Sequence, residues 1–114
     1  MSKRDSLLLV DDIIQSFKKI KSYTQGLTFD DFLKSDITID AVVRNFEIAG
    51  EASNYISDDF KLLHPEINWR IITDFRNKLI HHYFGVNHSF VWNAVQQDID
   101  PILTFLEVVI ADNL

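Results

Sequence analysis

The sequence predicts an all-α protein, an antiparallel bundle of four main helices joined by short helical turns. Three observations carry that expectation. Apolar residues recur at three- and four-residue spacing along nearly the whole chain, with no sustained alternation of period two. Only 3 glycines and 2 prolines punctuate 114 residues, and Gly26, Pro65 and Gly85 fall between the periodic segments. Capping residues (Thr28, Asp36, Asn68 and Asn87) stand in front of those segments.

The first helix is expected over residues 3–24, where Leu9, Ile13, Phe17 and Ile20 form one stripe and Gly26 offers a left-handed stop. A short helix follows from Thr28, with Asp31 as its capping-box partner and Leu27 with Phe32 as a hydrophobic staple. The second long helix is expected from about Ile37 to Ile56, capped by Asp36, with Val42, Phe46, Ala49, Ser53 and Ile56 inward. Its small residues Ala49, Gly50, Ala52 and Ser53 would admit another helix at close range, one of a second subunit being a candidate. For Gly50 alone, a simple gap in packing is an equal alternative.

Residues 57–67 read as a turn or short helix ending at His64-Pro65. Asn68 can cap a third main helix from Trp69 to about Phe84, closed by Gly85. The fourth starts near Asn87 or Ser89, with the stripe Val91, Val95, Ile99, Ile102, Leu106 and Val109. Pro101 lies inside this pattern. The helix must kink there, or restart with Asp100 as cap and Pro101 in the first turn.

Length makes residues 1–114 one domain, able to bury a core without staples. The absence of cysteine excludes disulfides, thiolate zinc sites and cysteine nucleophiles. The first apolar run is cut by Asp11 and Asp12, too early for a signal peptide or a membrane span. A soluble, cytoplasmic protein with no membrane partner is expected. The net charge of −6 is unevenly spread. Residues 1–60 carry 7 bases and 11 acids, and residues 93–114 carry 4 acids and no base. Residues 61–92 carry 4 bases, 2 acids and all 4 histidines. One basic, histidine-rich region on an acidic body suits a local phosphate site rather than a long nucleic-acid track.

That region contains the run FRNKLIHHYFG, residues 75–85. On a regular helix, Tyr83 returns to within about 20° of Arg76, whereas His81 points about 140° away. Asn77 lies one turn before His81 and can hydrogen-bond to it. Arg76 and His81 therefore cooperate only if the last turn is distorted or two copies pool their residues. His82, in a last helical turn, is favoured there by the helix dipole and reads as structural. His64 and His88 carry little signal. Adjacent His81 and His82 splay apart and lack the four-residue spacing of a helical zinc pair, so no metal site is expected. Nor is there a Gly-rich phosphate loop, a serine elbow or a carboxylate dyad.

The string Arg76-Asn77-x-x-x-His81-x-Tyr83 resembles the R-x-x-x-x-H-x-Y signature of the HepT family, within the HEPN superfamily of helical ribonucleases. RDSLLLVDDIIQS, IAGEAS, HPEINWRIITDFRN and YFGVNHSFVW are also similar to HepT-like chains, so the resemblance spans essentially the full length. Asn68 and Asn87 depart from the proline and aspartate common in the family, but both can cap a helix.

The resemblance implies a HEPN-like fold and a homodimer with the two motifs facing one another across the interface, which would resolve the 140° separation. It implies the toxin of a toxin–antitoxin pair, a metal-independent ribonuclease acting on RNA without a cofactor. Histidine, with an ordinary pKa of about 6.5, suits proton transfer near neutrality, and arginine can hold a phosphate by two hydrogen bonds. His81 would do acid–base work, Arg76 would hold the phosphate, and Asn77 would orient His81 or the substrate. The partner implied is an MntA-like minimal nucleotidyltransferase antitoxin that transfers AMP to the motif tyrosine, here Tyr83. Two alternatives stay open: a noncatalytic, substrate-binding partner module of a nucleotidyltransferase, and a purely structural dimerising bundle.

Overall fold

A computed structural model of the chain describes residues 2–80 and 87–113, apart from the side chains of residues 79 and 80. Helix α1 (Lys3–Thr24) opens on a capping box, in which Ser2 and Asp5 each accept from the other's backbone N–H. Two residues beyond its end, Gly26 takes φ +76°, the left-handed conformation that turns the chain at no steric cost. Thr28 then caps the short α2 (Phe29–Leu33) through the expected box with Asp31. Its Phe32 is fully buried and stacks on Trp92 at 5.2 Å.

Helix α3 (Asp36–Tyr55) begins one residue earlier than expected. Its cap is Ser35, whose hydroxyl accepts from the Thr38 N–H, while Asp36 sits in the first turn. After α4 (Asp58–Leu63), the Asn68 carboxamide oxygen accepts from the Ile71 N–H and starts α5 (Trp69–Ile80). The Trp69 indole N–H donates back to the His64 carbonyl and ties the connection down. The expected continuation of α5 towards Phe84 and Gly85 lies outside the described residues.

Asn87 caps α6 (His88–Asn93), which passes through a π-helical turn (Ala94–Asp98) into α7 (Ile99–Asp112). Of the two expectations at Pro101, a kink or a restart capped by Asp100, the second is corrected here. Asp98 occupies the N-cap position without a side-chain cap, and Asp100 and Pro101 both fall in the first turn. The wider turn has a physical reason: proline lacks an N–H and its ring crowds the preceding carbonyls, which a locally expanded helix relieves.

The four main rods are α1, α3, α5 and the α6–α7 helix. Their inward stripes are those the periodicity marks: Ile13, Phe17, Ile20, Val42, Phe46, Ala49, Ser53, Val91, Ile99 and Leu106 are at most 0% exposed. Leu9 and Val95 pack against this core only partly buried. At its centre Phe46 lies 4.7 Å from Phe75 and 6.4 Å from Phe17, ring centre to ring centre, with edge-on or tilted planes. Such contacts add about 0.5–1.5 kcal/mol per pair beyond burial. Among the described residues, no helix is long and apolar enough to cross a membrane.

Candidate functional site

The polar motif begins on the last turns of α5, so the packing of α5 decides where Arg76 stands. Helix α5 runs antiparallel to α3 and crosses it at its small residues. Near the start of α5, the buried Ser53 hydroxyl lies 3.0 Å from the Thr73 hydroxyl and 3.4 Å from the Trp69 carbonyl oxygen. One turn further, Gly50 meets the next turn of α5. A Cβ built there would stand 2.6 Å from the Arg76 Cβ, 2.9 Å from its backbone nitrogen and 3.1 Å from the Ile72 carbonyl oxygen. The close approach anticipated for Gly50 therefore serves a helix of the same chain, not one from a second subunit.

This crossing holds the Arg76 stem half-buried against α3. Among the described residues, its guanidinium has neither an ion-pair nor a hydrogen-bond partner. An arginine fork held at a helix crossing with its donors uncommitted is suited to an oxyanion. Asn77, the next residue, is exposed and free to meet a ligand or a neighbouring side chain. His81 and Tyr83 lie outside the described residues, as does His82. The structure thus locates two members of the motif and leaves its second half undescribed.

Lys78 faces away from Arg76, towards α6. Its ammonium lies 3.9 Å from the Asp74 carboxylate and 5.8 Å from the centre of the Phe90 ring. The positive charge of this region is thereby divided. Lys78 is engaged on one side of α5, and Arg76, on the other, has no partner among the described residues. The partition was not readable from the sequence, where the two bases stand two residues apart. His64 lies at the opposite end of α5, its ring 4.7 Å from Phe60 and its Nδ1 3.7 Å from Glu66. It has no part in the Arg76 environment. Among the described residues, no His, Asp and Glu side chains are grouped as a metal site requires.

Comparison with known proteins adds a family to this geometry. Residues 13–109 match the family model described as ribonuclease HepT-like. A Thermococcus cleftensis protein named probable ribonuclease HepT is 45% identical over 100 residues, covering 88% of this chain and 91% of the relative. Two Methanocaldococcus jannaschii proteins named as candidate RNases are 37% and 36% identical. Those alignments cover 98% and 96% of this chain, and 93% and 100% of the relatives. No solved structure gives a significant match. The chain belongs to the HepT-like ribonuclease family.

Proposed function

We propose that the protein is a metal-independent endoribonuclease acting as the toxin of a toxin–antitoxin pair. The observation that carries this reading is the half-buried Arg76 at the head of the motif, without a partner among the described residues, in a chain of this family. RNA holds its own nucleophile, the ribose 2′-hydroxyl, so the protein needs only to move protons and stabilise charge. His81 takes the 2′-hydroxyl proton as that oxygen attacks the adjacent phosphorus. The bond from phosphorus to the 5′-oxygen breaks, and that oxygen leaves with a proton. The products are a 2′,3′-cyclic phosphate and a 5′-hydroxyl end.

Arg76 binds the non-bridging phosphate oxygens, where charge accumulates in the transition state. Asn77 orients His81 or the substrate. Because Arg76 and His81 diverge on a regular helix, two copies of the chain pool their motifs in a homodimer. The proposed setting is the cytoplasm, where RNA is available.

Control rests on Tyr83 and a cognate MntA-like nucleotidyltransferase. The Tyr83 phenolic oxygen attacks the α-phosphorus of ATP, pyrophosphate leaves and the phenol proton passes to solvent. The product carries AMP on Tyr83, the residue that the period of a regular helix would return to the side of Arg76. The new phosphodiester then occupies the arginine's anion position. Exposed apolar side chains on α7, Phe105 and Val108, favour one alternative, a noncatalytic module that docks a nucleotidyltransferase.

Expression of the wild type and of Arg76→Ala, each with and without a cognate nucleotidyltransferase, separates the readings. Toxicity and cyclic-phosphate RNA ends from the wild type alone support the ribonuclease. Partner binding without any RNA cleavage would replace it with the docking module.

A further inference from the structure

On the face of α5 away from α3, two depressions of about 120 and 200 Å³ adjoin at Ile71 and Asp98. Together they form a groove between α5 and the α6–α7 helix. Its floor is apolar, made by Ile71, Phe75 and Ile102. At its α7 end, Pro101 is exposed and Phe105 and Val108 are 44% and 48% exposed. These three residues share one face of α7, because spacings of four and seven residues return to within about 40°. An apolar stripe of this kind, rimmed by charge, is characteristic of a docking surface.

The charges on the rim specify the occupant. The groove is lined by the acids Glu66, Asp74 and Asp98 and by one base, Lys78, which is paired with Asp74. Arg70, on the same side of α5, also reaches only Asp74, at 4.0 Å. Asp112 continues the Phe105 and Val108 face of α7, and residues 93–114 hold no base at all, whereas Asp100 is paired with Lys21 of α1 at 2.6 Å, outside the groove. Among the described residues, the Asp98 carboxylate has no ion-pair or hydrogen-bond partner, although it lines both depressions. Partial burial raises its pKa from the ordinary value.

We propose that this groove docks a basic amphipathic helix of a different protein. Its apolar face covers Ile71, Phe105 and Val108, and a Lys or Arg on its flank pairs with Asp98. Nucleic acid fits poorly, because its phosphates would meet three carboxylates. A second copy fits poorly too, because a two-fold contact brings together two surfaces on which the acids outnumber the bases, and the nearby bases Arg70 and Lys78 are already held by Asp74. The inference is independent of the ribonuclease reading, since it concerns the opposite side of α5 from Arg76.

The test uses a fluorescent Leu/Lys amphipathic peptide of about five helical turns and its Leu/Glu counterpart, read by anisotropy against the full chain. The Lys peptide is expected to bind at least about tenfold more tightly than the Glu peptide, and to weaken with salt. Asp98→Asn and Phe105→Ser should each weaken it by about fivefold or more, and Leu62→Ser, at an exposed leucine elsewhere, should not. Should thermal melting show Phe105→Ser unfolded, Val108→Ser takes its place. Equal binding of both peptides, or the same loss in Leu62→Ser, overturns the proposal. So does binding of an oligouridylate that these variants abolish, which gives the groove to RNA. A wild-type dimer that dissociates in Phe105→Ser gives it to a second copy and overturns it equally.

Discussion

A methyl group on Gly50 would stand 2.6 Å from the Arg76 Cβ and 2.9 Å from its backbone nitrogen, closer than side chains ever pack. The groups it would strike are stem and backbone, not the free end of a flexible side chain. Helix α5 can therefore sit where it does only because α3 carries no side chain at this point. Gly50 thus sets the position of Arg76.

Gly50→Ala follows directly. Alanine is a better helix former by about 1 kcal/mol, which alone would stabilise α3. Overpacking a tight crossing costs about 1–3 kcal/mol, and here the backbone of α5 must move. The net expectation is lower stability, read as a lower urea midpoint with unchanged slope. RNA cleavage should fall further than stability alone explains, because Arg76 is displaced. A midpoint above that of the wild type would mean that α5 is not held this close.

Arg76→Ala and His81→Ala separate site from scaffold. Each should lower the cleavage rate by at least about 100-fold, the scale of losing an acid–base or charge-stabilising group. Helical content and mass in solution should match those of the wild type, and cleavage by the wild type should survive a chelator. Activity that vanishes with EDTA and returns with magnesium would refute the metal-independent mechanism.

Phe46→Ala is the complementary change. Phe46 is fully buried between Phe17 and Phe75, so its truncation should cost about 3–5 kcal/mol. That is a large part of a small domain's stability, and thermal unfolding should shift markedly. A loss below about 1 kcal/mol would indicate a core that collapses around the gap.

Asp31 should make α2 sensitive to acid. Hydrogen bonds from the Thr28 backbone N–H and hydroxyl, with the Lys34 charge assisting, hold its pKa below the ordinary value of 3.8. A depressed folded pKa contributes stability above the unfolded value, and that contribution disappears as pH falls through the folded one. Asp31→Asn should therefore lower the melting temperature by a constant amount from neutrality to about pH 5. The gap should narrow only below about pH 4, as the wild-type carboxylate protonates. A gap that persists unchanged at the lowest pH would show that the charge of Asp31 is irrelevant to the cap.

Coexpression with an active cognate nucleotidyltransferase should attach AMP to Tyr83, seen as a mass increment on the peptide containing it. Tyr83→Phe should escape modification, keep its fold and stay toxic. An unmodified Tyr83 in neutralised protein would mean that the antitoxin acts by binding alone.

Most of the fold is legible in the sequence because its cues are local. Thr28, Asn68 and Asn87 open helices whose bounds follow from caps and periodicity, and Gly26 ends a turn through its own φ. The same locality accounts for the misplacements at Asp36 and Asp100. Each stands one or two residues from the residue that takes the cap position, Ser35 for Asp36 and Asp98 for Asp100, and pattern cannot rank them. The motif residues are equally visible as types and spacing.

What the sequence by itself determined is therefore the four-helix bundle, its inward stripes and the identity of Arg76, Asn77, His81 and Tyr83 as candidates. Only the tertiary structure decided which helix comes close to Gly50, that Lys78 is drawn to Asp74 and Phe90, and that neither Arg76 nor Asp98 has a partner among the described residues. Periodicity records which face of a helix is buried. It does not record which helix covers that face, because apolar stripes are interchangeable and only the packing of all four rods selects the neighbour.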